Sequence, residues 1–359
     1  MKKLRVAAMV SAQYTTPPPE GEVYAPMDVA VGILQGLSTR GHDVTYFAPV
    51  GSRVSGVNIE TCGLDPLADS NVLADITGQG GEPAKIYNLW DQYLIANIFK
   101  QHEEGKFDVV HIHPVDRALP LALSHPTAPV FYTLHDPVDP WRKTIYEMFK
   151  SPNQYFVSIS DAQRKPAPNL NWAGTVYNGV NTDKFAFSPE HDDYLLFVGR
   201  LHDKKGVAEA VEAAMSAKVK LVIIGPIRDK VLWETKIKPH IDNEHIIYPG
   251  FVTEKELVEY YQKAKAILVP IKWEEPFGLV MTEAMACGTP VIAFDRGSVP
   301  EIVENGKNGF IVNSVEEMVG AIKKIDSIDR KYCRETVVNK FSVGKMVDGY
   351  ERLFIEAVK

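Results

Sequence analysis

Two hydrophobic patterns alternate along this chain. Short apolar runs, typical of buried strands, lie at residues 4–10, 44–48, 109–113, 130–134, 155–160, 195–198, 221–224, 246–249, 266–270 and 291–293. Apolar residues three or four apart, typical of helices, follow several of these runs, as at residues 28–40 and 279–286. The alternation predicts an α/β protein with doubly wound, Rossmann-like sheets. Residues 51–84 have no clear period and are expected to form an extended surface segment.

Length and composition add limits to this picture. A chain of 359 residues is long for one core, so two domains are expected. An apolar content of 45% and a charged content of 24% are typical of a soluble globular protein. The net charge of −7 argues against a nucleic-acid partner and against a polybasic membrane dock. Weak peripheral membrane contact through apolar residues stays open.

The cysteines and the N-terminus bear on location. Cys62, Cys287 and Cys333 are scattered and lack CxxC spacing, which argues against a disulfide framework or a zinc site and fits a reducing, cytoplasmic environment. The apolar run near the N-terminus is far too short to span a membrane. We therefore expect a cytoplasmic protein without an integral membrane segment.

The stretch with the clearest chemistry is WEEPFGLVMTEAMACGTPVIA at residues 273–293. Pro276 and Gly278 precede a short apolar helix, so the loop is expected to open its backbone N–H groups toward a ligand. A helix start of this kind binds phosphate. Glu283 within the helix needs a polar partner, which a ribose or sugar hydroxyl can supply. By spacing alone, an ordinary amphipathic helix with Glu283 in water or paired with a lysine is an equal alternative.

Residues 274–293 resemble the Glu-x7-Glu signature of retaining glycosyltransferases of family 4, which have the GT-B fold. Glu275 and Glu283 occupy the two signature positions, and Glu274 is one residue out of register. The resemblance implies that Glu275 binds hydroxyls of the donor sugar and that Glu283 binds the nucleotide ribose. It implies further donor contacts at Phe277, Gly278 and Leu279. It also implies two Rossmann-like domains that face each other across a cleft holding the active site.

A second motif precedes this stretch. GRLHDKKG at residues 199–206 resembles the family's Gly-Arg-Leu-x-x-x-Lys-Gly, carried by Gly199, Arg200, Leu201, Lys205 and Gly206. Arg200 and Lys205 would then stabilise the leaving diphosphate without a metal ion, since fixed cations offset its growing charge. Gly206 sets the register and favours Lys205 over Lys204. The alternative is two solvated cations after a strand.

The nucleotide base is expected near Gly225 and near the backbone of Phe251 and Val252. These positions follow the second and third apolar runs of the C-terminal half.

The N-terminal half matches the family more loosely. DVVHIH at residues 108–113 resembles the strand that brings a histidine beside the donor sugar, which makes His113 a catalytic candidate. A capping histidine at a strand end is the alternative. A metal pair with His111 lacks a third ligand at suitable spacing, so no metal site is expected. The family's Gly-Gly pair in the first loop is represented only by Gly21, which leaves the approach of this loop to the diphosphate open.

The predicted domains are an acceptor-binding domain at residues 1–170, a linker at 171–193 and a nucleotide-sugar-binding domain at 194–340. A terminal helix at 341–359 is expected to pack back on the first domain.

The resemblance implies a metal-independent, retaining hexosyltransferase. It would need no cofactor besides its donor, UDP-glucose-like or else GDP-mannose. The acceptor would be a hydroxyl of a glycan, a small molecule or a lipid-linked molecule. A GT-B nucleotide-sugar epimerase and a non-catalytic partner subunit are the alternatives.

Overall fold

The structure is a computed structural model that describes residues 2–19, 22, 24–78, 83–250 and 252–359. They divide into two compact units. The first contains the residues up to Ile159, Arg164–Val176 and Met346–Lys359, and the second contains Ser160–Gln163 and Tyr177–Lys345. The chain therefore returns to the first unit at its C-terminal end.

The first unit is built on a parallel sheet. Its strands are β1 (Arg5–Met9), β2 (Asp43–Phe47), β3 (Asn58–Glu60), β4 (Val109–Ile112), β5 (Val130–Thr133), β6 (Gln154–Ser158) and β7 (Trp172–Thr175). Their order is β3-β2-β1-β4-β5-β6-β7. The connecting helices are α1 (Ala25–Thr39), α2 (Asn71–Gly78), α3 (Pro83–Glu103), α4 (Val115–Leu123) and α5 (Pro140–Met148). The short helix α6 (Asp161–Arg164) follows β6, and its first three residues belong to the second unit. β4 and β5 are wholly buried, as their continuous apolar sequences require.

The second unit repeats this design. Its strands are β8 (Tyr194–Val198), β9 (Lys220–Ile224), β10 (Ile246–Gly250), β11 (Ala266–Val269), β12 (Val291–Phe294) and β13 (Gly309–Val312). They are all parallel, in the order β10-β9-β8-β11-β12-β13. The helices are α7 (Val207–Ala217), α8 (Lys230–Leu232), α9 (Glu254–Lys263), α10 (Leu279–Ala286), α11 (Val299–Ile302), α12 (Val315–Ile322) and α13 (Arg330–Lys340). Each unit is thus a Rossmann-like α/β layer structure.

The C-terminal helix α14 (Val343–Ala357) lies mainly within the first unit. Its buried apolar face includes Tyr350 and Phe354, whose rings lie 5.1 and 5.4 Å from the ring of His111. Arg40 at the end of α1 pairs with Asp348 and Glu351 of α14, at 2.6 Å in each case. Apolar burial and paired charges therefore both hold the helix in place.

Some segments differ from the sequence-based expectation. Residues 51–84, expected to be extended, contain β3, a 3₁₀ turn at Leu67–Asp69, the whole of α2 and the first residues of α3 within their described part, so that expectation was wrong. Residues 172–175, within the predicted linker, form β7 at the edge of the first sheet, while the residues from Tyr177 onward belong to the second unit.

The strand order indicates where each sheet is expected to bind a ligand. In the first sheet the order reverses between β1 and β4, and in the second it reverses between β8 and β11. Ligands of doubly wound sheets bind beyond the carboxyl ends of the strands at this reversal. In the second unit, the segments at this point are residues 199–206 and 270–278.

Candidate functional site

The loop after β8 is fixed by close backbone packing. Gly206 has a φ of 74°, and a Cβ there would collide with the carbonyl oxygen of Pro270. Only glycine satisfies both constraints. This packing joins the GRLHDKKG segment to the end of β11 and brings Lys205, at the end of the 3₁₀ turn Asp203–Lys205, toward residues 273–278. We call residues 273–278 the acidic loop.

Lys205 and Glu275 form the central pair of the site. Lys205 Nζ lies 2.5 Å from Glu275 Oε2, although the two residues are 70 apart in sequence. Trp273 Nε1 donates to the same oxygen at 2.8 Å, and Lys205 Nζ lies 4.9 Å from the centroid of the Trp273 ring. The side chain of Glu275 is only 11% exposed and that of Lys205 22%. Two donors of different kinds therefore compensate this largely buried carboxylate.

A second loop holds the acidic loop in place. Gly297 N–H donates to Glu274 at 2.9 Å, Ser298 N–H donates to Glu275 O at 3.0 Å, and Ser298 Oγ–H donates to Phe277 O at 2.7 Å. Gly297 has a φ of 54°, and a Cβ there would collide with the backbone of Glu275. Glu274 thus anchors the loop, while Glu275 lies against Lys205.

The start of α10 follows the acidic loop. Gly278 is its N-cap and offers no side-chain oxygen, and Met281 N–H bonds back to Gly278 O at 3.0 Å. Within the described part of the chain, no acceptor takes a hydrogen bond from the N–H groups of Leu279 or Val280. Two half-buried donors at a helix N-terminus suit an anionic ligand such as a phosphate.

Glu283 lies in the second turn of α10. Its Oε2 accepts a hydrogen bond from Tyr261 OH at 2.8 Å. Tyr261 on α9 is fully buried, and burial raises the pKa of its hydroxyl well above the usual value, so it acts as a donor. Glu283 itself is half-buried. The Tyr261 hydroxyl thus supplies a polar partner of the kind that the burial of Glu283 requires.

The other residues predicted to bind the nucleotide sugar have varied surroundings. Arg200 is exposed, and no described carboxylate pairs with it. Gly225 O accepts from Tyr248 OH at 3.0 Å, and Gly199 N–H donates to Ile224 O at 3.0 Å. Val252 is half-buried, while Phe251 and Gly21 lie outside the described residues.

The first unit contains a chain of histidines of its own. His113 Nδ1 and His135 Nε2 are 2.7 Å apart, so one ring donates and the other accepts. Their rings are stacked with centroids 5.0 Å apart. His111 bonds to Thr133 Oγ1 at 2.8 Å, and its ring lies 4.5 Å from that of His113.

Burial keeps these imidazoles neutral. It lowers the pKa of His111 to about 3 and that of His135 to about 4, and it lowers the pKa of His113 well below its usual value, with neighbouring histidines adding to the effect for His111 and His113. His113 Nε2 is buried and unpartnered within the described residues. This atom can accept or donate one further hydrogen bond, depending on the tautomer.

Several residues of these sites were not found from the sequence. Trp273, Tyr261 and Ser298 were not assigned roles, although Trp273 stands two residues before Glu275. Asp91 was also missed. It is buried, accepts from Ala12 N–H at 2.6 Å just beyond β1, and forms an ion pair with Arg117. The only available signal for Asp91 was a charged residue on the apolar face of a helix.

Two features are absent from the described residues. Among these residues, no group of three or more His, Cys, Asp or Glu side chains is placed to hold a metal ion. No helix there is long and apolar enough to cross a bilayer.

Comparison with known families places these features in context. The model of glycosyltransferase family 4 matches residues 29–184, and that of glycosyl transferases group 1 matches residues 181–337. The chain belongs to the family 4 type of GT-B glycosyltransferases. The predicted family and fold class are thereby confirmed.

Individual proteins and solved structures are also similar to this chain. An uncharacterized 41.2 kDa protein of the cps region of Klebsiella pneumoniae is 28% identical over 73% of this chain and 82% of its own length. Seven further curated relatives match over 33% to 61% of their own lengths. Sucrose-phosphate synthase from Thermosynechococcus elongatus has a TM-score of 0.74 at 18% identity, covering 98% of both chains. Anabaena HepE in complex with UDP has a TM-score of 0.72 at 15% identity, covering 98% of this chain and 100% of that one.

Proposed function

We propose that this glycosyltransferase is a retaining, metal-independent hexosyltransferase that uses a nucleotide diphosphate sugar. The observation that carries the proposal is the cluster at the reversal of the second sheet. Lys205 and Glu275 are in contact there, and the open start of α10 follows directly. A nucleotide diphosphate sugar needs a cation and backbone donors for its diphosphate, and carboxylates for its hydroxyls.

The proposed roles follow from these environments. Lys205 and Arg200 stabilise the departing diphosphate, aided by the N–H groups of Leu279 and Val280. Glu275 accepts from hydroxyls of the sugar, and Glu283 accepts from the ribose diol. Glu275 is held through Oε2, which leaves Oε1, without a partner among the described residues, for the sugar.

His113 is proposed to position the reacting centre. Its low pKa makes it neutral at physiological pH, so it acts by hydrogen bonding and not as a cation. The bond from the anomeric carbon to the diphosphate breaks, and the acceptor oxygen attacks from the same face. The acceptor proton passes to the leaving phosphate oxygen. Retention therefore needs no carboxylate nucleophile in this scheme.

For the donor we propose a UDP-hexose of the UDP-glucose type, with GDP-mannose second. The complex of the structurally similar Anabaena HepE with UDP supports this choice. The acceptor is proposed to be a hydroxyl on a glycan, small molecule or lipid-linked molecule.

Thermal-shift binding tests the donor site directly. UDP, GDP, ADP and dTDP are compared in EDTA and again with Mg²⁺ or Mn²⁺. A ligand at 100 times its dissociation constant adds about 2.7 kcal/mol of stability, which raises the melting temperature by several degrees. One nucleotide that stabilises equally in EDTA supports the proposal. No shift with any nucleotide favours a partner subunit, and a shift that requires metal contradicts metal independence.

Product analysis then separates the enzyme classes. The nucleotide sugar matching the stabilising nucleotide is incubated with and without an acceptor mixture. A new α-linked glycoside from an α-linked donor supports retaining transfer, whereas conversion of the donor to its epimer without acceptor supports an epimerase.

A further inference from the structure

Trp273 contacts both members of the central pair. Its indole N–H donates to Glu275 Oε2 at 2.8 Å, and its ring lies 4.9 Å from Lys205 Nζ. The side chain is half-buried at the entrance of the acidic loop. No other described residue donates to this oxygen besides Lys205.

The ammonium of Lys205 cannot bind the Glu275 carboxylate and a diphosphate equally strongly at the same time. In the structure its ammonium is committed to Glu275, at 2.5 Å. A bound diphosphate carries more negative charge than one carboxylate and draws the ammonium toward itself. Glu275 then loses its strongest donor just when it has to hold the sugar hydroxyls.

We propose that Trp273 is the positioning residue that keeps the Glu275 carboxylate oriented while Lys205 turns to the diphosphate. This inference rests on the proposed function. The indole N–H is a donor without charge, so it does not compete for the phosphate. By holding Oε2, it leaves Oε1, which accepts from no described residue, for the donor sugar.

The ring of Trp273 assists the movement of Lys205 from Glu275 to the diphosphate. An ammonium near the face of an indole is attracted by its quadrupole over a broad range of positions. Lys205 can therefore shift between the carboxylate and the diphosphate while it stays against the ring. Trp273 thus binds the Glu275 carboxylate through its indole N–H and the Lys205 ammonium through the face of its ring.

Trp273→Phe tests the edge contact alone, because phenylalanine keeps an aromatic face but lacks the N–H donor. Trp172→Phe is the matched control. Trp172 is also half-buried, and its indole donates to Ala167 O at 2.9 Å in the first unit. Both variants lose one indole hydrogen bond, but only one of these bonds reaches Glu275.

The measurements separate positioning from packing. Calorimetry gives the dissociation constant of UDP, and initial rates give kcat and KM for UDP-glucose. If another nucleotide stabilises the wild type, that nucleotide and its glucose or mannose ester replace them. We expect Trp273→Phe to bind the nucleotide within twofold of wild type but to lose about tenfold or more in kcat/KM, since a hydrogen bond to a charged group is removed. Trp172→Phe is expected to match the wild type in both.

A double-variant comparison checks that Trp273 acts through Glu275. Glu275→Gln removes the charge that the indole positions. We expect Trp273→Phe to add little to the loss in turnover once Glu275→Gln is present, because coupled residues are not additive.

Three results would overturn the inference. If Trp273→Phe and Trp172→Phe have the same turnover, a positioning role for Trp273 is excluded. If Trp273→Phe lowers nucleotide affinity, stability and turnover to the same extent, Trp273 acts by packing alone. Full additivity with Glu275→Gln separates Trp273 from the carboxylate. Absence of turnover by the wild type with every nucleotide sugar would instead refute the proposed function, and this inference with it.

Discussion

Replacing Lys205 with alanine removes the cation that both the carboxylate of the acidic loop and the proposed leaving group require. In the structure, Lys205 Nζ lies 2.5 Å from Glu275 Oε2, with side chains 22% and 11% exposed. After the substitution the indole of Trp273 is the one remaining donor to that oxygen among the described residues. The variant therefore has two separate costs, one in folding and one in turnover.

The folding cost follows from burial. Breaking a fully buried ion pair costs about 3–5 kcal/mol, because the remaining charge is unpaired. An exposed pair is worth about 0–1 kcal/mol. This pair is largely but not wholly buried, and Trp273 still donates to the carboxylate, so we expect a loss of about 1–2 kcal/mol.

The cost in turnover is larger. Removing one preorganised donor to a developing oxyanion lowers kcat by about 10²–10³, or about 2.7–4 kcal/mol. We expect Lys205→Ala to fall in this range while it stays folded. Released nucleoside diphosphate gives the rate, and urea unfolding gives the stability.

Lys204→Ala is the matched control. Lys204 is the adjacent residue in the same 3₁₀ turn, but its side chain is exposed and pairs with no described carboxylate. We expect near-normal turnover and stability. The reasoning is refuted if Lys204→Ala loses as much as Lys205→Ala, or if Lys205→Ala keeps more than about a tenth of wild-type turnover.

Three further predictions concern nucleotide binding by Glu283, the packing of Gly297 and the pH dependence of stability. Glu283→Gln and Tyr261→Phe should both weaken binding of the stabilising nucleotide, by about tenfold or more for the first, and calorimetry that finds both unchanged would remove the ribose role. Gly297→Ala should destabilise the second unit by about 1–3 kcal/mol in urea unfolding, because alanine is strained at this φ and its Cβ collides with the acidic loop. Burial lowers the pKa of His111 to about 3 and that of His135 to about 4. Both side chains therefore bind fewer protons in the folded protein than in the unfolded chain. The free energy of unfolding should be highest above about pH 6.5 and should fall toward pH 4, by up to about 1.4 kcal/mol per pH unit for each histidine. Equal urea-unfolding free energies at pH 7 and pH 5 would contradict burial of these neutral rings.

The strands were predictable because parallel sheets covered on both faces need continuous apolar runs. The run at residues 195–198 differs from β8 (Tyr194–Val198) by a single residue. β3 and β7 lie at the two edges of their sheet, are short and contain no fully buried residue. Their sequences therefore lack both the apolar run and the alternation by which strands are recognised.

The site was predictable only where a spacing fixes a geometry. The motifs identified Lys205 and Glu275 as candidates, but their contact depends on Gly206 packing against Pro270, which no local pattern shows. Tyr261 is a further example, because a tyrosine on an amphipathic helix is normally a core residue. Its hydrogen bond to Glu283 arises from the packing of α9 beside α10.

The partners of the two carboxylates argue for different tasks. Glu275 is held by the ammonium of Lys205. Because the same ammonium is proposed to bind the diphosphate, the position of this carboxylate is expected to depend on the presence of the donor. Glu283 Oε2 accepts a hydrogen bond from the hydroxyl of the fully buried Tyr261, a donor that carries no charge. A carboxylate with such a neutral donor suits a group that stays the same throughout the reaction, as the ribose does. A carboxylate whose partner can leave suits the sugar, where charge and bonding change.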